Sequence, residues 1–279
     1  MTGGLYLCAT PIGNLEDITF RVLRTLKEAD LIAAEDTRNS IKLLNHFDIR
    51  TPMTSYHEHN KMEKGRYLVE RMREGLAVAL ITDAGTPAIS DPGEELVAMC
   101  YENDIPVTSL PGPAACITAL TLSGLSTRRF AFEAFLPSDK KERRMILEEL
   151  KEETRTMIIY EAPHRMDKTL AELLEVLGDR RMTLVRELTK RHETIFAATI
   201  SEVLEKAKQE PVKGECVLVI EGKDREEIRA EGIAGWLDTP LEEHMALYER
   251  QGMDRKSAMK QVAKDRGVTK REIYQQLLK

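Results

Sequence analysis

The sequence of 279 residues predicts an α/β fold: a parallel-sheet N-terminal lobe, a mixed-sheet C-terminal lobe and a small all-α helix-turn-helix-like module. Three observations carry this prediction. The first third alternates short apolar runs with helically spaced apolar positions, the pattern of repeated strand–helix units that stack into a parallel sheet covered on both faces. After Leu110-Pro-Gly-Pro-Ala114 the rhythm changes, and two strand signals flank Lys190-Arg-His-Glu as in a long hairpin, which makes the second sheet mixed. From Asp224 onward no strand signal remains. The predicted boundaries give lobes over 1–112 and 113–223 and a helical module over 224–279.

In order, Gly4 to Ala9 reads as a strand and Thr19 to Ala29 as a helix, with Phe20, Leu23 and Leu26 at helical spacing. Leu31 to Ala34 is a strand, Ser40 to Phe47 a helix and Thr51 to Tyr56 a third strand. Met62 to Glu74 is a helix with Leu68, Val69 and Met72 inward; strands follow at Leu76 to Thr82 and Ile105 to Ser109, with the helix Glu94 to Glu102 between them. Leu110 to Ala114 opens a helix to about Ser123, its prolines lying where a helix start tolerates them. Strands are predicted at Phe130–Leu136, Thr156–Tyr160, Met182–Arg186, Thr194–Thr199 and Cys216–Ile220, with helices at Lys140–Glu153 and His164–Leu177. The tail reads as helices over Ile233–Leu237, Leu241–Arg250, Arg255–Asp265 and Lys270–Leu278. There Gly267 ends one helix and Thr269 caps the next, with Ala258, Val262 and Ala263 set to pack against Val268, Ile273 and Leu277.

Composition narrows the function classes. With 42% apolar and 32% charged residues and no secretion signal, the chain reads as a cytoplasmic protein. The uncharged run Ile105 to Thr127 is interrupted by Pro106, Pro111, Gly112 and Pro113, so it reads as strand, loop and buried helix and not as a membrane span. The four cysteines, Cys8, Cys100, Cys116 and Cys216, sit singly in apolar segments, as reduced core thiols do. His57-Glu-His59 has no further ligand nearby at metal spacing, so no metal site is expected. The net charge of −6 is unevenly spread: from Arg250 to the C-terminus nine Lys/Arg face three Asp/Glu, leaving about −12 on the rest. A basic module on an acidic body suits a nucleic-acid partner; a small dimerisation or stability bundle is the alternative.

Two turns of small residues stand out. Cys8-Ala-Thr-Pro-Ile-Gly-Asn14 follows the first strand, and Asp83-Ala-Gly-Thr-Pro-Ala-Ile-Ser-Asp-Pro-Gly93 follows the fourth. Small side chains at the carboxyl ends of parallel strands let a ligand approach the main chain. Polar clusters lie at four further strand ends: Ala34-Glu-Asp-Thr-Arg38, Tyr56-His-Glu-His-Asn60, Glu161 with His164 and Arg165, and Arg186 to Lys190. Glu35 and Asp36 point different ways from an extended chain, so one faces the crevice; a helix cap at Asp36, paired only with Arg38, is the structural alternative. No nucleophile elbow, Walker loop or dinucleotide fingerprint occurs, so a cosubstrate held by backbone and apolar contacts remains.

The segments CATPIGNLEDIT, AAEDTR, HEHN, LITDAGTPAISDPG, LPGPAA, FEAFLP, YEAPHR and GECVLVIEG stand in this order. Over roughly residues 4 to 223 they resemble the tetrapyrrole methylase-like superfamily, and within it the small-subunit ribosomal RNA methyltransferase I group, whose helix-turn-helix appendage the tail also resembles. The resemblance implies methyl transfer from S-adenosylmethionine to a cytidine 2′-oxygen of 16S ribosomal RNA, on the free RNA or the 30S particle, by a homodimer. It implies a donor site between the lobes: Pro11 and Ile12 at its border, Thr86, Pro87, Ala88 and Ile89 along the methionine part, Ala115 and Cys116 at the following helix. Glu161, Ala162, Gly214, Glu215 and Cys216 are then expected at the adenosine. Superfamily members acting on tetrapyrroles or diphthine tend to have Gly-Asp-Pro where this chain has Gly85-Thr86-Pro87. A ribose hydroxyl needs a proton acceptor, which points to Asp36 or Glu35 with Arg38 beside them. His57, His164, Arg165 and Lys190, and Lys256, Lys260, Lys264, Lys270 and Arg271 of the tail, are the candidate RNA contacts. A superfamily enzyme acting on a small macrocycle or a modified protein side chain, and a non-catalytic ribosome-associated RNA-binding protein, are the competing readings.

Overall fold

The computed structural model describes residues 1–236 and 238–278. Its first sheet contains β1 (Gly4–Cys8), β2 (Leu31–Ala34), β3 (Met53–Ser55), β4 (Ala77–Ile81) and β5 (Val107–Leu110), in the spatial order β3-β2-β4-β1-β5. Each pairing is parallel, so every carboxyl end opens on the same edge. All five residues of β4 are buried, as expected for a central strand covered on both faces. One face packs Leu5, Leu7 and Leu80 against α3 (Lys61–Arg73) and α4 (Glu94–Glu102) through Leu68, Met72, Leu96 and Cys100. The other packs Cys8, Ile32 and Ile81 against α1 (Phe20–Glu28) and α2 (Thr37–His46) through Val22, Leu26 and Leu44. Each such leucine contributes about 1.5–3 kcal/mol by leaving water.

The second sheet runs β6-β7-β10-β8-β9, from β6 (Phe130–Phe135), β7 (Thr156–Glu161), β8 (Arg181–Arg186), β9 (Thr194–Thr199) and β10 (Cys216–Ile220). It is mixed, as its sequence rhythm predicts: β6 and β7 are parallel, the remaining pairs antiparallel, and β8–β9 is the expected hairpin. One face buries α6 (Lys140–Leu150), α7 (Met166–Leu177) and α8 (Ile200–Gln209). The opposite face receives α5 (Ala115–Leu122) through Cys116, Ala119 and Leu120, together with Ile12 from the turn after β1. The uncharged run thus becomes β5, a proline-rich turn and the short buried helix α5, which joins the two sheets. No helix among the described residues is long and apolar enough to cross a membrane.

Four expectations need correction, the last of them in the tail. Phe20 is 92% exposed; α1 buries Val22, Thr25 and Leu26, because the helix begins only after the Thr19 cap and turns Phe20 outward. Helix α8 is absent from the expected elements, although Ile200, Val203, Leu204 and Ala207 form its buried face and Thr199 and Glu202 its capping box. In the tail, α9 spans Arg225–Ala234, capped by Asp224, and so begins earlier than expected; Leu237, the expected end of that segment, lies outside the described residues.

Helices α10 (Leu241–Arg250), α11 (Arg255–Asp265) and α12 (Lys270–Leu277) follow, with Met245, Ala258, Val262, Ala263 and Ile273 at their core and Leu277 against it. Val268 is exposed instead of packed, since it sits in the turn itself. Thr269 caps α12 with a reciprocal bond from Glu272. His244 is fully buried, stacked on Trp236 at 3.7 Å, and its Nδ1 accepts from Arg266 Nε at 3.2 Å.

Candidate active site

The turns after β1 and β4 are tied together by main-chain bonds. Thr10 N donates to Gly85 O at 2.9 Å and Gly85 N to Thr10 O at 3.0 Å, while the Thr10 hydroxyl donates to Thr82 O at 3.1 Å. Gly85 has φ +83°, a conformation that favours glycine. The Thr86 hydroxyl donates to Pro113 O at 2.9 Å, fixing the second turn to the residues that precede α5. From the second sheet, the Tyr160 hydroxyl accepts the Cys116 backbone N–H at 3.0 Å, so β7 holds the amino end of α5. Gly13 closes the contact between lobes: a Cβ there would lie 2.5 Å from Lys190 Cγ and 3.0 Å from Leu188 O.

Between these elements lies a cavity of about 380 Å³, inside the range of roughly 300–1,000 Å³ usual for small-molecule and cofactor sites. Ile12, Gly85, Thr86, Ile89 and Asp91 form its wall from the first sheet, and Ala115 and Cys116 its wall from α5. Tyr160, Glu161, Ala162, Leu188, Gly214, Glu215 and Cys216 form the wall from the second sheet. Ten of the thirteen residues expected around a donor therefore meet at one cavity. Pro11, Pro87 and Ala88 do not line it; Ala88 holds φ +64° with its Cβ packed toward Gly93. Asp91, Tyr160, Phe135 and Leu188 line it without being among the expected donor contacts, although all four stand inside segments that the sequence marks. The wall is mostly apolar with a few converging polar groups, which suits a ligand that is part aromatic and part zwitterionic.

The charged residues divide by what they are bound to. The Asp36 carboxylate caps α2, accepting Arg38 N at 2.8 Å, Arg38 Nε at 3.1 Å and Arg38 Nη2 at 2.8 Å. Those bonds hold it down at about 2, so at neutral pH it is a weak proton acceptor. The capping role considered for Asp36 is the one its geometry shows, and Arg38, with a side chain 88% exposed, is its partner. Glu35 faces the other way, accepting Asp83 N at 3.3 Å; burial and then the nearby Asp83 and Asp36 charges raise its carboxyl, against the Asp83 backbone bond. Asp91 is pushed up to about 6, first by burial and then by Glu35 and Asp83.

Glu161 lies on the cavity wall, but its buried carboxylate is committed inward. It accepts the Ala162 N–H at 2.7 Å and the Thr169 hydroxyl at 2.5 Å, and it pairs with Arg165 Nε at 3.2 Å and Arg143 Nη2 at 3.9 Å. Arg165 is thereby redirected from a free RNA contact to an internal clamp, which also donates to Leu136 O at 2.8 Å. Lys190 is likewise bound, to Glu187 at 3.0 Å and, at 2.9 Å, to Glu215 of the cavity wall. His57 lies near Glu35, and its backbone N–H donates to Asn60 Oδ1 at 2.8 Å; His164 is exposed. Lys256, Lys260 and Lys264 stand four residues apart on α11 and are exposed, with Arg271 exposed and Lys270 half-buried at the start of α12. No group of three or more His, Cys, Asp or Glu side chains among the described residues is arranged to hold a metal ion. All four cysteines are free and buried, and burial pushes the Cys8 thiol up to about 12.

This architecture defines a class. Residues 4–204 match the family model described as Tetrapyrrole (Corrin/Porphyrin) Methylases, and the chain belongs to that family. Among curated proteins it is similar to Ribosomal RNA small subunit methyltransferase I of Halalkalibacterium halodurans, 51% identical over 98% of this chain and 93% of the relative. It is 47% identical to the protein of that name from Bacillus subtilis, with the same coverage, and 44% identical to that from Synechocystis over 98% of this chain and 96% of the relative. Identity at that level over nearly the whole chain places it in the small-subunit methyltransferase I group of the family. Solved structures of similar fold include a diphthine synthase (15% identity, TM-score 0.59, 78% of this chain and 89% of that one). Another is a Thermus thermophilus uroporphyrin-III C-methyl transferase complexed with S-adenyl homocysteine (22%, TM-score 0.55, 78% and 97%).

Proposed function

We propose that the protein transfers a methyl group from S-adenosylmethionine to the ribose 2′-oxygen of a cytidine in small-subunit 16S ribosomal RNA, with the donor held in the cavity between the two sheets. The observation that carries this reading is the cavity itself. It is sized for a nucleoside-bearing ligand, apolar over most of its wall, and bounded by a corner of carboxylates at the edge of the parallel sheet. The names of relatives at 44–51% identity support the ribosomal RNA substrate.

When bound, the donor supplies a methyl carbon on a sulfonium whose sulfur leaves as a neutral thioether, so the chain's task is alignment and proton acceptance. Ile12, Thr86, Ile89, Ala115 and Cys116 would hold the methionine part, with Pro11, Pro87 and Ala88 packed behind them. Ala162, Gly214, Glu215 and Cys216 would flank the adenosine, and Glu161 would keep that wall in shape. Fixing the reacting atoms in line removes much of the entropic barrier. Glu35 stands on the acceptor side, with Asp36 and Arg38 shaping the start of α2 beside it; His57 and His164 are the remaining RNA candidates near the crevice.

The reading extends to organisation. The lobes divide at 112 and 113, and the module 224–279 carries Lys256, Lys260, Lys264, Lys270 and Arg271 toward RNA phosphates. The protein acts in the cytoplasm as a homodimer, on the free RNA or the 30S particle. The test is transfer of labelled methyl from S-adenosylmethionine to small subunits from cells lacking this chain, with the modified nucleotide mapped by mass. Label in a single cytidine ribose is the expected result. No label in RNA and no calorimetric heat with the donor would refute the reading; label only in a macrocycle or a protein side chain would replace the substrate. Removing residues after Lys223 should weaken RNA binding more than donor binding. With each of those basic side chains neutralising one phosphate of a single strand, the truncation should flatten the log affinity–log salt slope by about 3.5.

A further inference from the structure

We infer that Phe135 is the platform on which the base of the acceptor nucleotide stacks, once that nucleotide has turned out of its strand to offer its ribose to the donor. This inference rests on the methyl-transfer reading above and adds a subsite for the base to it.

A bulge aims the ring. Phe132 and Phe135 are three residues apart on β6, and in a regular strand they would face opposite sides of the sheet. The pairing with β7 runs from Phe132 opposite Ile158 to Ala134 opposite Ile159 and Phe135 opposite Tyr160, so Glu133 is an extra residue. That bulge brings both phenylalanines to the Tyr160 side, with ring centroids 4.9 and 5.6 Å from the tyrosine ring. It imposes strain: Ala134 has φ +49° and is the one left-handed non-glycine residue inside a strand among the described residues. The chain is pinned just beyond the ring, where Arg165 Nη2 donates to Leu136 O at 2.8 Å.

The ring so aimed is open. Phe132 packs against the apolar layer that receives α5, whereas Phe135 lines the cavity and is 53% exposed. Tyr160 meets it at 64°, an edge-to-face contact that covers at most one face of the Phe135 ring. Among the described residues, the one other large apolar side chain that lines the cavity and is exposed is Ile89, on the first-sheet wall. Ile89 is taken up by the methionine part in the reading above, and Phe135 has no donor group assigned to it. Position separates it from the donor's own ring as well. β6 is an edge strand, while the adenosine wall is built from the end of β7 and the entry to β10, so Phe135 stands on the open side of that wall.

The reaction requires such a surface. A 2′-oxygen can reach a methyl carbon inside an enclosed chamber only when its nucleotide leaves the stack, and the base then loses its neighbours. Aromatic side chains replace those neighbours in single-stranded RNA recognition. A neutral, flat ring fixed at the cavity does this without drawing the phosphates inward. Since every base has a stacking face, Phe135 requires that a base be bound there and does not select which one.

The experiment uses the full chain with Phe135→Ala, Phe135→Leu and Phe135→Tyr, methylation of 30S particles from cells lacking this chain at saturating donor, and calorimetry with S-adenosylhomocysteine. Loss of one base–aromatic stack corresponds to a change of about 5–150-fold. Phe135→Ala and Phe135→Leu should both show it in kcat/KM for the particle, because leucine keeps the apolar bulk and loses the flat face. Phe135→Tyr should stay within about threefold of wild type, as should the Kd for S-adenosylhomocysteine in all three variants. Activity of Phe135→Leu within that margin overturns the stacking role, and so does a loss in Phe135→Tyr as large as that in Phe135→Ala. A Kd for S-adenosylhomocysteine weakened by the same factor as kcat/KM would place the ring at the donor and overturn it too. Absence of RNA methylation by the wild-type chain would defeat the methyl-transfer reading, and the base subsite would fall with it.

Discussion

Glu161→Gln is the most direct probe of how the second lobe is held. The side chain is isosteric, so the change removes charge and leaves volume in place. Glu161 and Arg143 have side chains 0% and 5% exposed, and Arg165 adds a second guanidinium at 3.2 Å. Breaking a buried pair by removing one partner costs about 3–5 kcal/mol, because the remaining charge stays out of water. Here the lower end applies: Arg143 keeps Glu172 at 2.6 Å and the Thr169 hydroxyl at 2.7 Å, and Arg165 keeps Leu136 O. A loss of about 3 kcal/mol corresponds to roughly 6–12 °C in Tm for a protein of this size. Thermal and urea denaturation followed by circular dichroism read it, with Arg143→Met and the double variant closing a cycle. Affinity for S-adenosylhomocysteine should change less than fivefold, since the carboxylate points away from the ligand. A loss below 1 kcal/mol, or strict additivity with Arg143→Met, would refute the view that this cluster is one buried electrostatic unit.

Asp91 has a folded-state affinity for protons above its unfolded value, so its ionised form opposes folding; the penalty is present at pH 7–8 and fades as pH falls through about 6. Asp91→Asn should therefore raise Tm at pH 8 and leave it unchanged at pH 4. Two pKa units correspond to about 3 kcal/mol, which water screening at this half-buried site reduces to about 1 kcal/mol. Gly13→Ala would place a methyl 2.5 Å from Lys190 Cγ and 3.0 Å from the carbonyl of the cavity-lining Leu188, and strain a φ of +145°, so donor affinity by calorimetry should fall at least tenfold as that wall is pushed back. Thr269→Ala removes the cap of α12 and should destabilise the tail by about 1 kcal/mol, read as faster amide exchange in α11 and α12.

Local signals make much of this fold legible. Leu31–Ala34 and Glu94–Glu102 are bounded as the sequence predicts, because a dense apolar run and an acidic first turn mark them without tertiary help. Helix α8 carries a signal of the same kind, a Thr199–Glu202 capping box before apolar positions at 200, 203, 204 and 207, but the strand run ending at Thr199 merges with it and hides the change of period. Phe20 misleads because apolar spacing identifies a helix without saying which side meets the core. At the site, the two small-residue turns are readable since they follow strands directly. The environments of Asp91 and Glu161 are not. Asp91 acquires its character from Glu35 and Asp83, and Glu161 is claimed by Arg143, residues that only folding brings together.

The reciprocal bonds between Thr10 and Gly85 have a practical corollary. A clasp made of main-chain atoms is indifferent to the side chains around it, so the frame of the donor chamber survives replacement of its lining. Trimming Ile12 or Ile89 would then carve room for synthetic sulfonium donors bearing groups larger than methyl. The same scaffold would thereby become a tool for writing bulkier alkyl marks onto a chosen ribose.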